Sequence, residues 1–296
     1  MVTALASGIE WTDTTWNPVS GCSKVSPGCA HCYAEVFTRR FAGPDGFATV
    51  RTHPERVGAP LRWRRGRRVF VNSMADLFHP AVPEEFLARV WAVMAVTERH
   101  TYQVLTKRHG RMRALLGSER FGDLVVDAVG GLVGTRGAAV AHLEPVELRQ
   151  RWWPLRNVWC GVSVEDQQRA ELRVPALLGT PAVVRFVSCE PLLAPVDLSG
   201  WLPRPHQDRA VVPGLGWVIV GGESGPGARP LHPGWVEDLI TQCEMAGVGC
   251  FVKQLGSVWA RAHHQRGKAN DPAAWPARLR VREFPPNSGL RAEGTW

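Results

Sequence analysis

The chain has 296 residues, of which 45% are hydrophobic and 21% charged, an ordinary globular composition with enough length to bury a full core. No apolar run approaches the roughly 20 residues needed to cross a bilayer, and Met1–Glu10 lacks the basic start and apolar stretch of a secretory signal, so a cytoplasmic protein without a membrane partner is expected. The formal charge of +8 favours an anionic partner, with nucleic acid the commonest kind, although drift towards Arg, Ala and Gly produces the same excess of arginine.

In chain order, short β-rich runs end repeatedly in polar or glycine residues. A weak run at Thr14–Val19 is followed by Arg68–Ser73, Thr101–Thr106, Val158–Ser163, Val183–Ser188, Trp217–Gly222 and Gly249–Lys253. Most are nearly continuous in Val, Ile, Phe or Leu, which suits parallel strands covered on both faces. Helical patterns lie between them. Pro83, Glu84 and Glu85 open one, with Phe86, Leu87, Val90, Trp91 and Met94 at helical spacing. Val164–Leu178 and Pro233–Ala246 are two more, and Pro175 is expected to end or kink the first. Alternating strand and helix predicts right-handed crossovers and a parallel sheet. Six or seven strands fall short of a full eight, so the fold class is α/β, a partial (β/α)6-7 TIM-like barrel. Arg111–Asn157 is too long for one crossover and reads as an insertion, with glycines at 130, 131, 134 and 137 and a helix near Pro145–Trp152. The organisation expected is a barrel over residues 1–258 and an extension over 259–296, rich in Pro, Arg and Ala and partly irregular.

Seven cysteines without a signal peptide do not read as a disulfide framework. Cys22, Cys29 and Cys32 form C-x6-C-x2-C, and Gly21, Pro27 and Gly28 place the first two on a loop. Clustered soft ligands on such a loop can wrap one inorganic centre. Three cysteines suit a [4Fe–4S] cluster with one iron left open for a cofactor. The alternatives are zinc, with His31, Cys160, Cys189, Cys243 or Cys250 as fourth ligand, and three unrelated cysteines.

The segment IEWTDTTWNPVSGCSKVSPGCAHCYAE, followed by VFVNSMADLFHP, GVSVED, CEPLL, GGESG and FVKQLG, resembles a phage-associated, radical-SAM-like family of three-cysteine-motif proteins, from Ile9 to about Gly256. The resemblance implies a radical-SAM enzyme that carries a [4Fe–4S] cluster on Cys22, Cys29 and Cys32. Its second cofactor would be S-adenosylmethionine, cleaved to a 5′-deoxyadenosyl radical. A reductase or flavodoxin-type electron donor is implied as partner. The superfamily's usual spacing is C-x3-C-x2-C, and here the first gap is longer by three. Its aromatic residue before the last cysteine, near the adenine, is replaced by His31, with Tyr33 on the other side. Its Gly-Gly-Glu follows the second strand, whereas Gly221-Gly222-Glu223 comes several strands later.

In parallel barrels function collects at the C-terminal strand ends. Those ends carry Ser73 and Asp76, Lys107 and Arg108, Glu165, Glu190, Glu223 and Lys253. Together they suit a zwitterionic ligand, with Ser73, Asp76, Glu165, Glu190 and Glu223 towards the cofactor and Lys107, Arg108 and Lys253 towards a substrate carboxylate. Cys189 also ends a strand and is a minor candidate for a catalytic thiol. The basic run Arg62, Trp63, Arg64, Arg65, Arg67 and Arg68 could grip phosphates and stack a base. For a nucleic-acid substrate it should lie beside the barrel mouth. As a solvated approach to a strand it needs no function.

Overall fold

Strands that are apolar on both faces need cover on both, and the chain supplies it with helices outside and aromatic rings inside. In the computed structural model, which describes residues 7–43, 46–133, 153–203 and 214–285, the chain opens with β1 (Thr14–Trp16). A small antiparallel pair follows, β2 (Val19–Ser20) with β3 (Arg51–Thr52). Then come β4 (Arg68–Val71), β5 (Thr101–Thr106), β6 (Val158–Ser163), β7 (Val184–Cys189), β8 (Trp217–Gly221) and β9 (Gly249–Gln254). The helices are α1 (Tyr33–Ala42), α2 (Pro54–Val57), α3 (Glu84–Ala95), α4 (His109–Leu116), α5 (Glu119–Val133), α6 (Gln167–Leu178), α7 (Pro233–Ala246) and α8 (Gly256–Ala262).

The large sheet has the order β1-β4-β5-β6-β7-β8-β9 and is parallel throughout. Each crossover steps one strand further in the same direction, and the twisted sheet curls into a half-barrel. The partial TIM-like barrel expected from the sequence is the fold observed. No helix among the described residues is long and apolar enough to cross a membrane.

Side chains alternate across each strand. Val69, Val71, Val104, Cys160, Val162, Val187, Val218, Val220 and Val252 belong to the core shared with the helices. The opposite parity, Phe70, Trp159, Phe186, Trp217, Ile219 and Phe251, joins Trp11 in a separate cluster inside the half-barrel. Trp217 is its hub, with Phe186, Trp159 and Trp11 at 5.6, 5.8 and 6.1 Å between ring centroids and Phe284 stacked at 5.3 Å. The plug fits because β6 contributes Gly161 where a side chain would enter it: a Cβ there would lie 2.5 Å from the Phe186 ring. Gly161→Ala is therefore expected to lower stability by about 1–3 kcal/mol through overpacking; an unchanged melting temperature would show that the plug gives way freely.

Pro175 does not stop its helix. It sits within α6, which runs on to Leu178. The missing N–H costs one hydrogen bond near the end, and the Pro175 carbonyl still accepts from the Gly179 N–H at 3.1 Å. Arg111–Val133, read from sequence as part of an insertion, is occupied by α4 and α5, and α5 takes in Gly130 and Gly131. The helix expected near Pro145–Trp152 lies outside the described residues. Towards the C-terminus the chain pairs antiparallel with β9 at Phe251 and Arg282. The Trp217 indole donates to the Glu283 carbonyl at 2.8 Å. The seam between β1 and β9 is bridged by Glu10, which pairs with Lys268 at 2.9 Å and accepts from Asn270 at 3.1 Å.

Candidate active site

At the C-terminal edge of the sheet the inward parity changes from aromatic to polar, and the half-barrel opens into a cavity. Cys22, Cys29 and Cys32 all line it, together with Asn72, Ser73, Asp76, Lys107, Arg108, Ser163, Ser188, Glu190, Glu223 and Lys253. The cysteines reach it because the chain turns sharply after β2. Gly21 has φ +84°, and a Cβ there would lie 2.1 Å from the Thr49 carbonyl oxygen, so only glycine fits. Cys22 N–H donates to Phe47 O at 2.8 Å, Cys29 closes a short 3-10 turn on Ser26, and Cys32 is the N-cap of α1.

The cysteine segment is fastened to the sheet by three carboxylate–cation pairs, each from a different part of the edge. After β4 and β5, Arg108 Nη1 pairs with Asp76 at 3.0 Å, donates to Cys22 Sγ at 3.5 Å, and through Nη2 holds the Ser23 carbonyl at 3.0 Å. Asp76 is saturated by Thr106, the backbone N–H groups of Phe78 and Lys107, and Arg108. After β6, fully buried Glu165 accepts from Ser26 Oγ at 2.5 Å and from Arg173 of α6 at 2.8 Å. After β8, Glu223 accepts from His31 Nδ1 at 2.8 Å and from Arg229 Nη2 at 2.5 Å, and Arg229 also reaches the Pro27 carbonyl at 3.0 Å.

Glu165 and Glu223 thus accept directly from the cysteine loop, and Asp76 reaches it through Arg108. Sequence placed the first three with a cofactor and the last with a substrate. Glu165 is sealed beneath the loop, where a Cβ on Gly28 would meet its carboxylate at 2.4 Å. Ser73 and Tyr33 are engaged with each other, the Tyr33 hydroxyl donating to the Ser73 carbonyl at 2.6 Å, while Ser73 Oγ donates to Asn17 at 3.1 Å.

Other polar groups also face the cavity, at the ends of β4, β5, β6, β7 and β9. Lys253 Nζ meets Glu190 Oε1 at 2.6 Å, and Lys107 Nζ donates to Ser163 Oγ at 3.0 Å. Asn72, φ +62° and 3% exposed, accepts the Val19 N–H on Oδ1, and its Nδ2 has no partner among the described residues. Sequence reading missed Arg173, Arg229, Ser26 and Asn17; Ser26 and Asn17 lie 139 and 56 residues from their partners, and Arg173 and Arg229 return to theirs from the helix and the loop that follow.

Two groups singled out in the sequence lie elsewhere. Cys189 has the parity of Val187 and faces the helices, not the cavity; burial pushes its thiol far up, which removes the thiolate a nucleophile needs. The Arg62–Arg68 run leads into the N-terminal end of β4, opposite the mouth. Trp63 is buried against His100, and Arg68 pairs with Asp13 at 2.7 Å and lies over Phe284. The condition for a nucleic-acid substrate at the mouth is not met by this run.

Electrostatics follow the pairing. Burial pushes the Cys22 thiol up, with the Arg108 guanidinium pulling the other way. Burial also pushes Glu165 up, but Lys107 and Arg173 outweigh it and hold the carboxyl below its usual range. Glu223 is raised by burial and lowered more strongly by the hydrogen bonds from Arg229 and His31, to about 2. A carboxyl with a depressed folded pKa adds stability above its unfolded value, near 4.5, that is lost as pH falls towards 2. Glu223→Gln should therefore be less stable than the parent at pH 7, with the gap closing between about pH 4.5 and 2 in fluorescence-detected denaturation. A gap that is constant with pH would disprove the assignment.

Among the described residues no three or more His, Cys, Asp or Glu side chains, the three loop cysteines included, close around a common point as a cage for a metal ion. Of the fourth zinc ligands named above, Cys160, Cys189, Cys243 and Cys250 pack in the core shared with the helices, whereas His31 is oriented by Glu223 through Nδ1 and keeps Nε2 for a ligand. Cys22, Cys29 and Cys32 all line the cavity from one loop, soft donors that stand apart from one another.

Comparison with known structures finds two variants of spore photoproduct lyase. A cysteine-to-serine variant superposes with a TM-score of 0.38 at 11% identity, and a tyrosine-to-phenylalanine variant with 0.37 at 10%. Each match covers 82% of this chain and 56% of the other, so the chain spans little more than half their length. No curated protein matches in sequence. The family model described as "Protein of unknown function (DUF5131)" matches residues 6–281. That span takes in the cysteine loop, all seven strands of the half-barrel and the three clamps, and the chain belongs to this family.

Proposed function

We propose that the chain is a radical-SAM-type enzyme, of the phage-associated kind that its motifs resemble. It holds a [4Fe–4S] cluster on Cys22, Cys29 and Cys32 and binds S-adenosylmethionine in the mouth of the half-barrel. The observation that carries this reading is the joint placement of three thiols on one wall of a cavity at the C-terminal sheet edge, on a loop fastened by three separate ion pairs. When bound, the cluster supplies the electron that breaks the sulfonium S–C5′ bond.

The chain's own residues hold, orient and exclude. Glu190 and Lys253 present one carboxylate and one ammonium side by side, which suits the α-amino and α-carboxylate groups of a zwitterion. Lys107, with Ser163 and Ser188, offers donors to a substrate anion. Trp11, Phe70 and Leu105 wall the cavity with apolar surface, which keeps water from a reactive carbon radical.

Anaerobic reconstitution with iron and sulfide tests the proposal. The expected product is a brown protein that forms 5′-deoxyadenosine from S-adenosylmethionine and reductant. Stoichiometric zinc with no iron uptake would refute it. Within this reading Arg108 stabilises the reduced cluster through its contact with Cys22. Arg108→Met should move the midpoint potential to more negative values by about 59 mV or more, a tenfold change in a one-electron equilibrium. An unchanged potential in an EPR-monitored titration would rule this out.

A further inference from the structure

Among the described residues two serine hydroxyls meet a histidine ring, and the two pairs have opposite polarity. In one, Ser23 Oγ lies 2.9 Å from His79 Nε2. The Ala81 N–H donates to His79 Nδ1 at 3.1 Å, so Nδ1 carries the lone pair and Nε2 the proton. That ring donates to Ser23, which also accepts from Arg108 at 2.9 Å, and the hydroxyl is not activated. In the other, Ser20 Oγ lies 2.8 Å from His53 Nε2, while His53 Nδ1 faces the Glu55 carboxylate at 3.3 Å. The carboxylate holds the ring proton on Nδ1 and leaves the Nε2 lone pair to accept from the Ser20 hydroxyl. This is the order of an activated nucleophile, its base and the group that orients the base.

The ribbon of β2 and β3 fixes the arrangement. Val19 is buried in the core, so Ser20 points to the other face. Ser20 stands directly opposite Arg51, and His53, two residues on, shares that face. The His53 N–H donates to the Pro18 carbonyl at 2.8 Å, which continues the ladder past β3. The Trp16 indole donates to the Arg56 carbonyl at 2.8 Å and anchors α2, which carries Glu55. The His53 side chain is 18% exposed, so a reactant can reach it. Arg51 is exposed, and across a strand pair its Cβ lies about 4.5–5.5 Å from that of Ser20, near enough to bring a cation to an oxyanion beside Oγ. None of these four residues lines the cavity.

We propose that Ser20, His53 and Glu55 are a hydrolytic triad on the ribbon, a second site that acts on activated carboxylic esters. Ser20 Oγ attacks the carbonyl carbon, and its proton passes to His53 Nε2. Arg51 holds the negative charge that develops on the carbonyl oxygen. The bond from the carbonyl carbon to the leaving oxygen then breaks, and His53 returns the proton to the departing alcohol. Water, deprotonated by His53, releases the carboxylic acid and restores the Ser20 hydroxyl. No step calls on the three loop cysteines or on a metal.

The full chain, without added iron, is mixed with p-nitrophenyl acetate in a stopped-flow spectrometer. A burst of p-nitrophenolate should precede a slower steady rate, and peptide mass spectrometry should place the acetyl group on Ser20. Ser20→Ala is expected to lose the burst. His53→Gln should slow acylation about 100-fold or more, and Arg51→Leu about tenfold or more. His79→Gln should acylate like the wild type. A fluorophosphonate should form its adduct on Ser20 of the wild-type chain, a measurement that no misfolded variant can obscure. A burst retained in Ser20→Ala, or an acetyl or phosphonyl group found on other residues and not on Ser20, would overturn the proposal. So would hydrolysis without a burst at equal rates in wild type and His53→Gln.

Discussion

Replacing Cys22, Cys29 or Cys32 with Ala is expected to remove nearly all bound iron and to bring 5′-deoxyadenosine formation below detection. On the proposed reading each thiol would supply one bond to iron, and the oxygens of neighbouring Asp76 are already taken. Cys160→Ala and Cys189→Ala are the controls. Both thiols are fully buried among valines in the helix-packed core, so these changes should cost packing energy and leave iron content intact. Iron and sulfide analysis with the visible spectrum decides the matter. Iron retained in Cys29→Ala but lost in Cys189→Ala would overturn the site.

The second large effect is expected at Glu165 and Arg173. Their side chains are 0 and 3% exposed and lie 2.8 Å apart. Removing one partner leaves a buried charge alone, at a cost of about 3–5 kcal/mol, a large part of the roughly 5–15 kcal/mol that holds a typical domain. Glu165→Leu also releases Ser26, three residues from Cys29, so iron affinity should fall with stability. The double variant Glu165→Leu/Arg173→Met removes both charges and should recover much of the denaturation midpoint, though not the anchor on Ser26. A midpoint equal to wild type in Glu165→Leu, or a double variant no better than either single one, would contradict this account.

The strands were legible because hydrophobic runs such as VWCGVS and WVIVG need no partner to be recognised. All seven members of the half-barrel sheet lie where the sequence placed them, within two or three residues. α1 was not legible, because its face is exposed and its pattern is not that of a core-facing helix. α4 and α5 were hidden inside a stretch that is too long for one crossover and reads as an insertion. At the site, residue types and strand ends were readable, but hydrogen-bond partners were not. Glu165 and Glu223 looked like free carboxylates because Arg173, on a helix, and Arg229, in a loop, carry no signal of the turn that brings them back. The parity that sends Cys189 outward is present in VRFVSC, and it could have been read by counting from Phe186.

The aromatic plug below the cavity has a consequence for the order of events. With Trp217 at its hub and Phe284 stacked beneath it, the half-barrel is closed below the cavity among the described residues, and its mouth lies at the cysteine rim. Whatever occupies its floor is roofed by whatever arrives afterwards at the rim. Arrival and departure then run in opposite sequence, and the deepest molecule leaves last. In the proposed enzyme, a molecule on the floor would be held until whatever lay above it had cleared the rim.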